Sequence, residues 1–331
     1  MKAMIAVATI VASLANAAPV KYGITRTQCK LRELRIHRVS RRFVDVLPRV
    51  RRLLSRLSLG KSPTIPLFQR VVIELQSHCN RECYFCCRES DTSGKRKTVD
   101  GKSVLQSMPS ERVTMLFDEL GSMGFRGYVT FHHLSEAFLD KRLISIARDA
   151  LSRGMKPYVH TNGDVLRNNE ALCREAAEVF EYMVVGLYDY ETEEEKQREK
   201  EFWKNRLKGT KVMFSLVENV YTRTYSPRNS QMNAIIRQTH PNAVCAQPQR
   251  YLLIHYNGDV ACCCEDMYGD LLKMNIFETS IREVWYSDRH ARLIKALKAG
   301  DRKQFALCTK CTMGPNHYSS DPMQATDHHE R

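Results

Sequence analysis

Three cysteines, Cys79, Cys83 and Cys86, fall within eight residues directly behind the β-rich run Val71–Leu75. Thiols at this density are metal ligands, and their place behind a strand puts them on a loop at that strand's C-terminal end, where β/α barrels carry their chemistry. Three thiolates leave one coordination position open, on a zinc ion or on an iron-sulfur cluster. The adjacent Cys87 would close that position in a structural zinc site, so the residues alone leave both readings standing.

Strands and helices alternate after this loop. Helical periodicity runs from Ser110, read as an N-cap, to Met123; through Leu143, Ile144, Ala147, Ala150 and Leu151; and over 170–180. Strands are predicted over 128–132, 157–160, 183–187 and 212–217, and a charged surface helix over 191–208. The alternation implies a parallel sheet wrapped by helices, either doubly wound or part of a β/α barrel. It stops after Val217. The segments 251–256 and 259–263 then flank Asn257-Gly258, a strong hairpin signal that reads as the start of a separate small β unit. A helix is predicted over 280–299, and the tail from 317 is read as disordered.

Cys245, Cys263, Cys308 and Cys311 form a second set. A hairpin cysteine converging with a distant CxxC closes a four-thiolate site, and on the residues alone zinc is the favoured occupant. The 12 cysteines of the 331-residue chain cluster at metal-ligand spacings and do not resemble the framework of a short secreted domain. A reducing compartment follows, cytoplasmic or the interior of an organelle, and secretion is disfavoured.

The net charge of +14 is concentrated rather than spread. Residues 21–61 carry 13 Lys and Arg against Glu33 and Asp45, so the remainder is close to neutral and nucleic acid is not the expected partner. Before this basic segment, the apolar run 3–15 behind Lys2 ends in Ala15-Asn16-Ala17, similar to a signal peptide and shorter than the roughly 20 apolar residues needed to span a bilayer. The two parts together resemble a targeting leader, and no integral membrane segment is expected. The resulting division is a signal-like leader over 1–20, a basic segment over 21–66, a core over 67–243, a second cluster domain over 244–316 and a tail.

The loop Cys79-Asn80-Arg81-Glu82-Cys83-Tyr84-Phe85-Cys86, with an aromatic residue just before its last cysteine, resembles the signature of the radical S-adenosylmethionine (SAM) superfamily. The resemblance implies a partial (β/α) barrel of five or six parallel strands. It also implies a 4Fe-4S cluster on Cys79, Cys83 and Cys86 whose fourth iron is chelated by the amino and carboxylate groups of SAM. Reductive cleavage of SAM would then yield methionine and a 5'-deoxyadenosyl radical that takes a hydrogen atom from substrate. In that family a Gly-Gly-Glu-Pro motif contacts the SAM amino group. Here the corresponding stretch is His133-Leu134-Ser135-Glu136-Ala137, which keeps only the glutamate, so Ser135 and Glu136 are the expected contacts. Phe85, Thr161, Asn162 and Tyr188 stand at the family's other cofactor positions. His132 and His133 are candidates for lining the substrate pocket.

From Cys245 through the hairpin, Cys263-Cys264-Glu265-Asp266, Ser280–Trp285 and the CxxC, the chain resembles a SPASM-type auxiliary domain shortened to the twitch form. This implies one auxiliary 4Fe-4S cluster on Cys245, Cys263, Cys308 and Cys311, serving as an electron conduit. The implied activity is a radical dehydrogenation of a sugar or aminocyclitol, or of a peptidyl residue, supplied with electrons by a flavodoxin or ferredoxin. Cys29, Cys87, Cys173, Cys262 and Cys264 match no ligand position, and Trp285 is assigned to the core. The competing reading is a metal-stabilised binding protein without SAM chemistry, one form of which holds RNA through the arginine-rich segment.

Overall fold

The computed structural model describes residues 65–83, 85, 86, 88, 94, 95, 97, 101–216, 239–311 and 314. The leader, the basic segment, Cys29, Cys87 and the tail lie outside the described residues.

Six strands run parallel: β1 (Arg70–Ile73), β2 (Tyr128–Thr130), β3 (Lys156–Thr161), β4 (Tyr182–Leu187), β5 (Lys211–Leu216) and β6 (Tyr251–Ile254). A short antiparallel strand, β7 (Val260–Ala261), completes a sheet of order β5-β4-β3-β2-β1-β6-β7 that does not close. The connections carry α1 (Ser110–Ser122), α2 (Leu143–Ser152), α3 (Asp164–Arg167), α4 (Glu170–Val179) and α5 (Glu193–Arg206). Beyond β7 lie α6 (Ile281–Trp285), α7 (Asp288–Lys298) and the single turn α8 (Ala306–Thr309).

The period of two along each strand sends its side chains to opposite faces. Val71, Ile73, Val129, Val159, Met183 and Leu252 belong to the main core, which also takes the apolar faces of the helices. The other face is different in kind. Tyr158, Tyr182, Val184 and Met213 form a separate cluster with Tyr128 against it, and the Arg70 guanidinium lies 5.0 Å from the Tyr158 ring centre. Tyr158 and Tyr182 stack at 4.6 Å. The concave side of the sheet is therefore floored with tyrosines around one arginine, and becomes more polar toward the strands' C-terminal ends at Glu74, His132, His160 and His255.

Three sequence expectations change. Ser110 is the first residue of α1, not its cap; Pro109 precedes the helix in extended geometry, and the Ser110 hydroxyl accepts from Arg142 Nη1 at 2.8 Å. The helix expected over 280–299 is two helices, because both Ser280 and Ser287 cap: their hydroxyls accept from the N–H groups of Glu283 and His290. The hairpin expected to start a separate β unit instead extends the main sheet, since β6 pairs in parallel with β1 from Arg70 opposite Tyr251 to Ile73 opposite Ile254.

The charged helix α5 does lie outermost, started by a capping box of Thr192 and Glu195, but it is not merely solvated. Trp203 is 1% exposed and drives its ring against Gly163, where an added Cβ would meet the indole at 2.6 Å and where the backbone is left-handed (φ 82°). Trp203→Ala is expected to cost about 3–5 kcal/mol of stability in chemical denaturation. The adjacent exposed change Lys204→Ala should stay within about 0.5 kcal/mol.

Candidate active site

The chain leaves β1 and turns across the top of the sheet. Gln76 Nε2 donates to the Glu136 carbonyl at 2.8 Å, and the Glu136 N–H donates to the His78 carbonyl at 3.0 Å, which joins the loop after β1 to the loop after β2. The buried Arg88 reaches back to the Ser77 carbonyl at 3.0 Å and to Ser103 Oγ at 2.7 Å. Cys79, Cys83 and Cys86 lie on the loop between these pins, half-buried, with a Cys86 N–H to Cys83 carbonyl bond of 2.8 Å. Burial, with the neighbouring Cys86 and Cys79, pushes the Cys83 thiol up to about 11, and burial likewise raises Cys79. Cys79 and Cys83, which resist ionising beside one another, suit a cationic iron centre that would stabilise their thiolates.

The residues between the cysteines hold the loop laterally. Asn80 Nδ2 donates to Asp164 Oδ2 at 2.7 Å and its oxygen accepts from Asn162 Nδ2 at 2.9 Å. Arg81 Nε donates to Asp164 Oδ2 at 2.7 Å, and its Nη1 stands 2.7 Å from Asp189 Oδ2. The hydrogen bond from Arg81, against a smaller opposing effect of burial, holds the Asp164 carboxyl below its ordinary range. The cysteine loop is thus tied to the ends of β3 and β4. Sequence reading missed Asn80 and Arg81, although their place inside the motif was the available signal.

The Glu136 carboxylate is 3% exposed and already engaged. Oε1 accepts from Thr161 Oγ1 at 2.8 Å and from the Phe138 N–H at 3.1 Å, and Oε2 accepts from the Asn162 N–H at 2.8 Å. Burial raises its pKa against the pull of these three donors. The predicted contacts Glu136, Thr161 and Asn162 therefore form one hydrogen-bonded group, with Ser135 beside it; the Ser135 hydroxyl is buried without a protein partner. Phe85 meets Tyr188 edge-on, ring centres 5.0 Å apart. Gly186 makes room for that ring, since a Cβ there would lie 2.3 Å from it. Burial pushes the Tyr188 phenol up to about 12. Of the two candidate histidines, His132 stacks on His160 at 4.1 Å and burial holds it well below its ordinary pKa. His133 Nε2 lies 3.3 Å from the Cys264 carbonyl.

The second set converges as well. Cys245, Cys263, Cys308 and Cys311 line one cavity together with Glu265 and Arg302. The Cys245 N–H donates to Leu297 O at 3.1 Å, and the Cys311 N–H to Cys308 O at 3.2 Å, which place two of the thiols from different elements. Burial raises all four that show a shift in this region, Cys308 to about 12, while the buried Arg302 opposes it at Cys245 and Cys308. Cys262 is buried at the same turn, and Cys173 lies in the core away from both sets. A soft four-thiolate donor set around one cavity fits a cluster or a zinc ion.

An open parallel sheet with a cysteine loop behind its first strand, and a cysteine-lined cavity beyond its sixth, has the architecture of a radical SAM protein with an auxiliary cluster domain. Residues 245–312 match SPASM, an iron-sulfur cluster-binding domain. The S-adenosyl-L-methionine-dependent 2-deoxy-scyllo-inosamine dehydrogenase of Niallia circulans is 24% identical over 258 residues, covering 74% of this chain and 93% of that protein. The crystal structure of BtrN in complex with AdoMet and 2-DOIA superposes with a TM-score of 0.58 at 22% identity, over 76% of this chain and 95% of that one. BtrN in an open conformation superposes with a TM-score of 0.54 at 23% identity, over 75% and 94%. The chain thus carries a SPASM-type iron-sulfur cluster-binding domain at 245–312 and is similar over about three quarters of its length to a SAM-dependent dehydrogenase, whose fold it shares. Among the described residues no helix is long and apolar enough to cross a membrane.

The lateral ties predict a selective effect. In the reconstituted protein, Arg81→Ala should speed loss of iron to a chelator from the cluster nearest the first three cysteines. Iron held at the second set should be lost at an unchanged rate, which electron paramagnetic resonance of the reduced protein resolves.

Proposed function

We propose that this enzyme cleaves SAM reductively and uses the resulting radical to dehydrogenate an alcohol carbon of an aminocyclitol- or sugar-like substrate. The observation that carries the reading is the loop of Cys79, Cys83 and Cys86 held through Asn80 and Arg81 to Asn162, Asp164 and Asp189, so that its thiols sit beside Glu136 and Tyr188. In this reading the three thiolates hold a 4Fe-4S cluster, which when bound with SAM supplies the electron for homolysis. Phe85 and Tyr188 make the apolar wall against the adenosyl group. Asn162 and the unpartnered Ser135 hydroxyl offer polar contacts, and Glu136 orients Thr161 and the Asn162 N–H while keeping its remaining lone pair for the SAM amino group.

Cys245, Cys263, Cys308 and Cys311 hold the auxiliary 4Fe-4S cluster with one thiolate on each iron, which leaves no iron for substrate and gives it the task of electron transfer. Dehydrogenation fits this assignment in its balance. The substrate carbon loses one hydrogen atom to the adenosyl radical, the hydroxyl loses a proton, and one electron passes to the auxiliary cluster. An alcohol is preferred to a peptidyl residue because the Niallia circulans relative, which this chain covers over 93% of its length, is a dehydrogenase of an inosamine. A flavodoxin or ferredoxin in a reducing compartment is the proposed electron source.

Anaerobic reconstitution should give about eight irons per chain with matching sulfide. After reduction, SAM should yield 5'-deoxyadenosine, and a substrate deuterated at the oxidised carbon should deliver its label into that product. Product no greater than that of a Cys83→Ala control, or one to two zincs in place of iron, would overturn the reading.

A further inference from the structure

At the C-terminal end of the sheet, three side chains that neither cysteine set uses converge. Glu74 follows β1, His255 follows β6 and His133 lies beyond β2. One carboxylate oxygen and one nitrogen from each imidazole all lie within 4.8 Å of one another. The convergence follows from register: Ile73 stands opposite Ile254, and the Glu74 N–H donates to the Ile254 carbonyl at 2.8 Å, so the next residues, Glu74 and His255, are neighbours on the concave face. His133 is brought over them by the loop after β2, its ring centre 5.2 Å from that of His255.

Glu74 is 0% exposed and His255 2%. A carboxyl group this deeply buried is hydrogen-bonded, neutralised, paired with a cation or coordinated to one. Glu74 Oε1 accepts from the Leu134 N–H at 3.0 Å, which fixes the carboxylate, and Oε2 stands 3.3 Å from His255 Nδ1. That separation also lies within the roughly 3.0–3.4 Å span between adjacent donors that share one ion at about 2.1 Å each in octahedral or tetrahedral geometry. His133 Nε2 at 3.3 Å from the Cys264 carbonyl fixes the third ring in turn. Two imidazoles and one carboxylate, with Glu74 oriented by Leu134 and His133 by Cys264, make a donor set with open positions, as in catalytic zinc and non-haem ferrous sites.

We propose that Glu74, His133 and His255 form a binding site for a divalent transition-metal ion, zinc or ferrous iron, distinct from both cysteine sets. Movement of the half-buried His133 toward Glu74 and His255, whose donor atoms lie within 4.8 Å of its own, brings the three into one coordination sphere. The ion would sit between the loop of Glu136, three residues beyond His133, and the turn of Cys264, next to Cys263.

The test uses the reconstituted holoenzyme, whose cysteines are occupied, dialysed against zinc and separately titrated with Mn2+, a probe with little affinity for thiolates. One zinc per chain beyond the cluster iron is expected, together with loss of the free Mn2+ resonance signal at one equivalent. Elemental analysis of the protein as isolated distinguishes zinc from extra ferrous iron. Glu74→Gln, which keeps an acceptor for Leu134, and His133→Ala should each weaken zinc binding beyond the roughly 10–100-fold that loss of an outer partner costs, with cluster iron and thermal unfolding unchanged. If Glu74→Gln fails to fold, His133→Ala and His133→Gln carry the test, since His133 is only half-buried. Absence of the extra zinc, or zinc held equally by the His133 variants and the wild type, overturns the site and leaves Glu74 and His255 as a proton-sharing pair.

Discussion

The Glu136 carboxylate joins three pieces of chain that would otherwise be independent loops. Its main-chain groups bind the segment after β1 at Gln76 and His78, and its side chain binds the start of the turn after β3 at Thr161 and Asn162. A buried carboxylate costs several kcal/mol unless hydrogen bonds offset it, and here three donors offset part of that cost. The same Asn162 holds Asn80 inside the cysteine motif. A single buried charge therefore fixes the height of the cysteine loop relative to two strand ends, and the Arg81 contacts extend that frame to β4.

Parallel pairing explains why the two cysteine sets belong to one machine. In a parallel sheet every strand ends on the same side, so a ligand loop after β1 and a turn after β6 emerge at one rim. Because β6 lies against β1, the chain beyond it begins beside the first cysteine loop and not across the molecule. The antiparallel β7 then reverses direction and carries Cys263 to Cys245, Cys308 and Cys311. The tie from Lys95, in the loop after the cysteine motif, to Asp259 in the hairpin closes the contact between the two regions.

Much of this was legible from period and spacing. The six strand cores lay in apolar runs, and the cysteine sets announced themselves by separation alone. What stayed hidden was pairing across distance. Nothing local in Tyr251–Ile254 says that it will seek β1 and not a partner within its own hairpin; that outcome depends on a free edge of β1. Ser287 looked like any residue within an apolar helical stripe, and only its hydroxyl's bond to His290 marks a second start. Trp203, alone in a charged helix, found its place through Gly163, forty residues earlier, where the absence of a side chain leaves room. Glu74 read as one more residue of a buried strand, although a carboxylate in that setting was itself the sign of a polar interior.

Arginines stand beside both cysteine sets, with Arg81 already paired with Asp164 and Asp189 and Arg302 sharing the second cavity with Glu265. Arg81 lies inside the first motif, Arg88 lies buried behind it, and Arg302 lies buried beside the second cavity. Clusters ligated by thiolates carry net negative charge, and a fixed cation in a low-dielectric setting stabilises their reduced form more than a solvent-exposed one would. Arg302 is held by its own bond to the Val244 carbonyl, one residue before Cys245, so its guanidinium cannot swing away to water without breaking the segment that positions that thiol. The site that would accept an electron from substrate in the proposed reaction thus has a cation beside it. This favours acceptance there without requiring the protein to reorganise as the electron arrives.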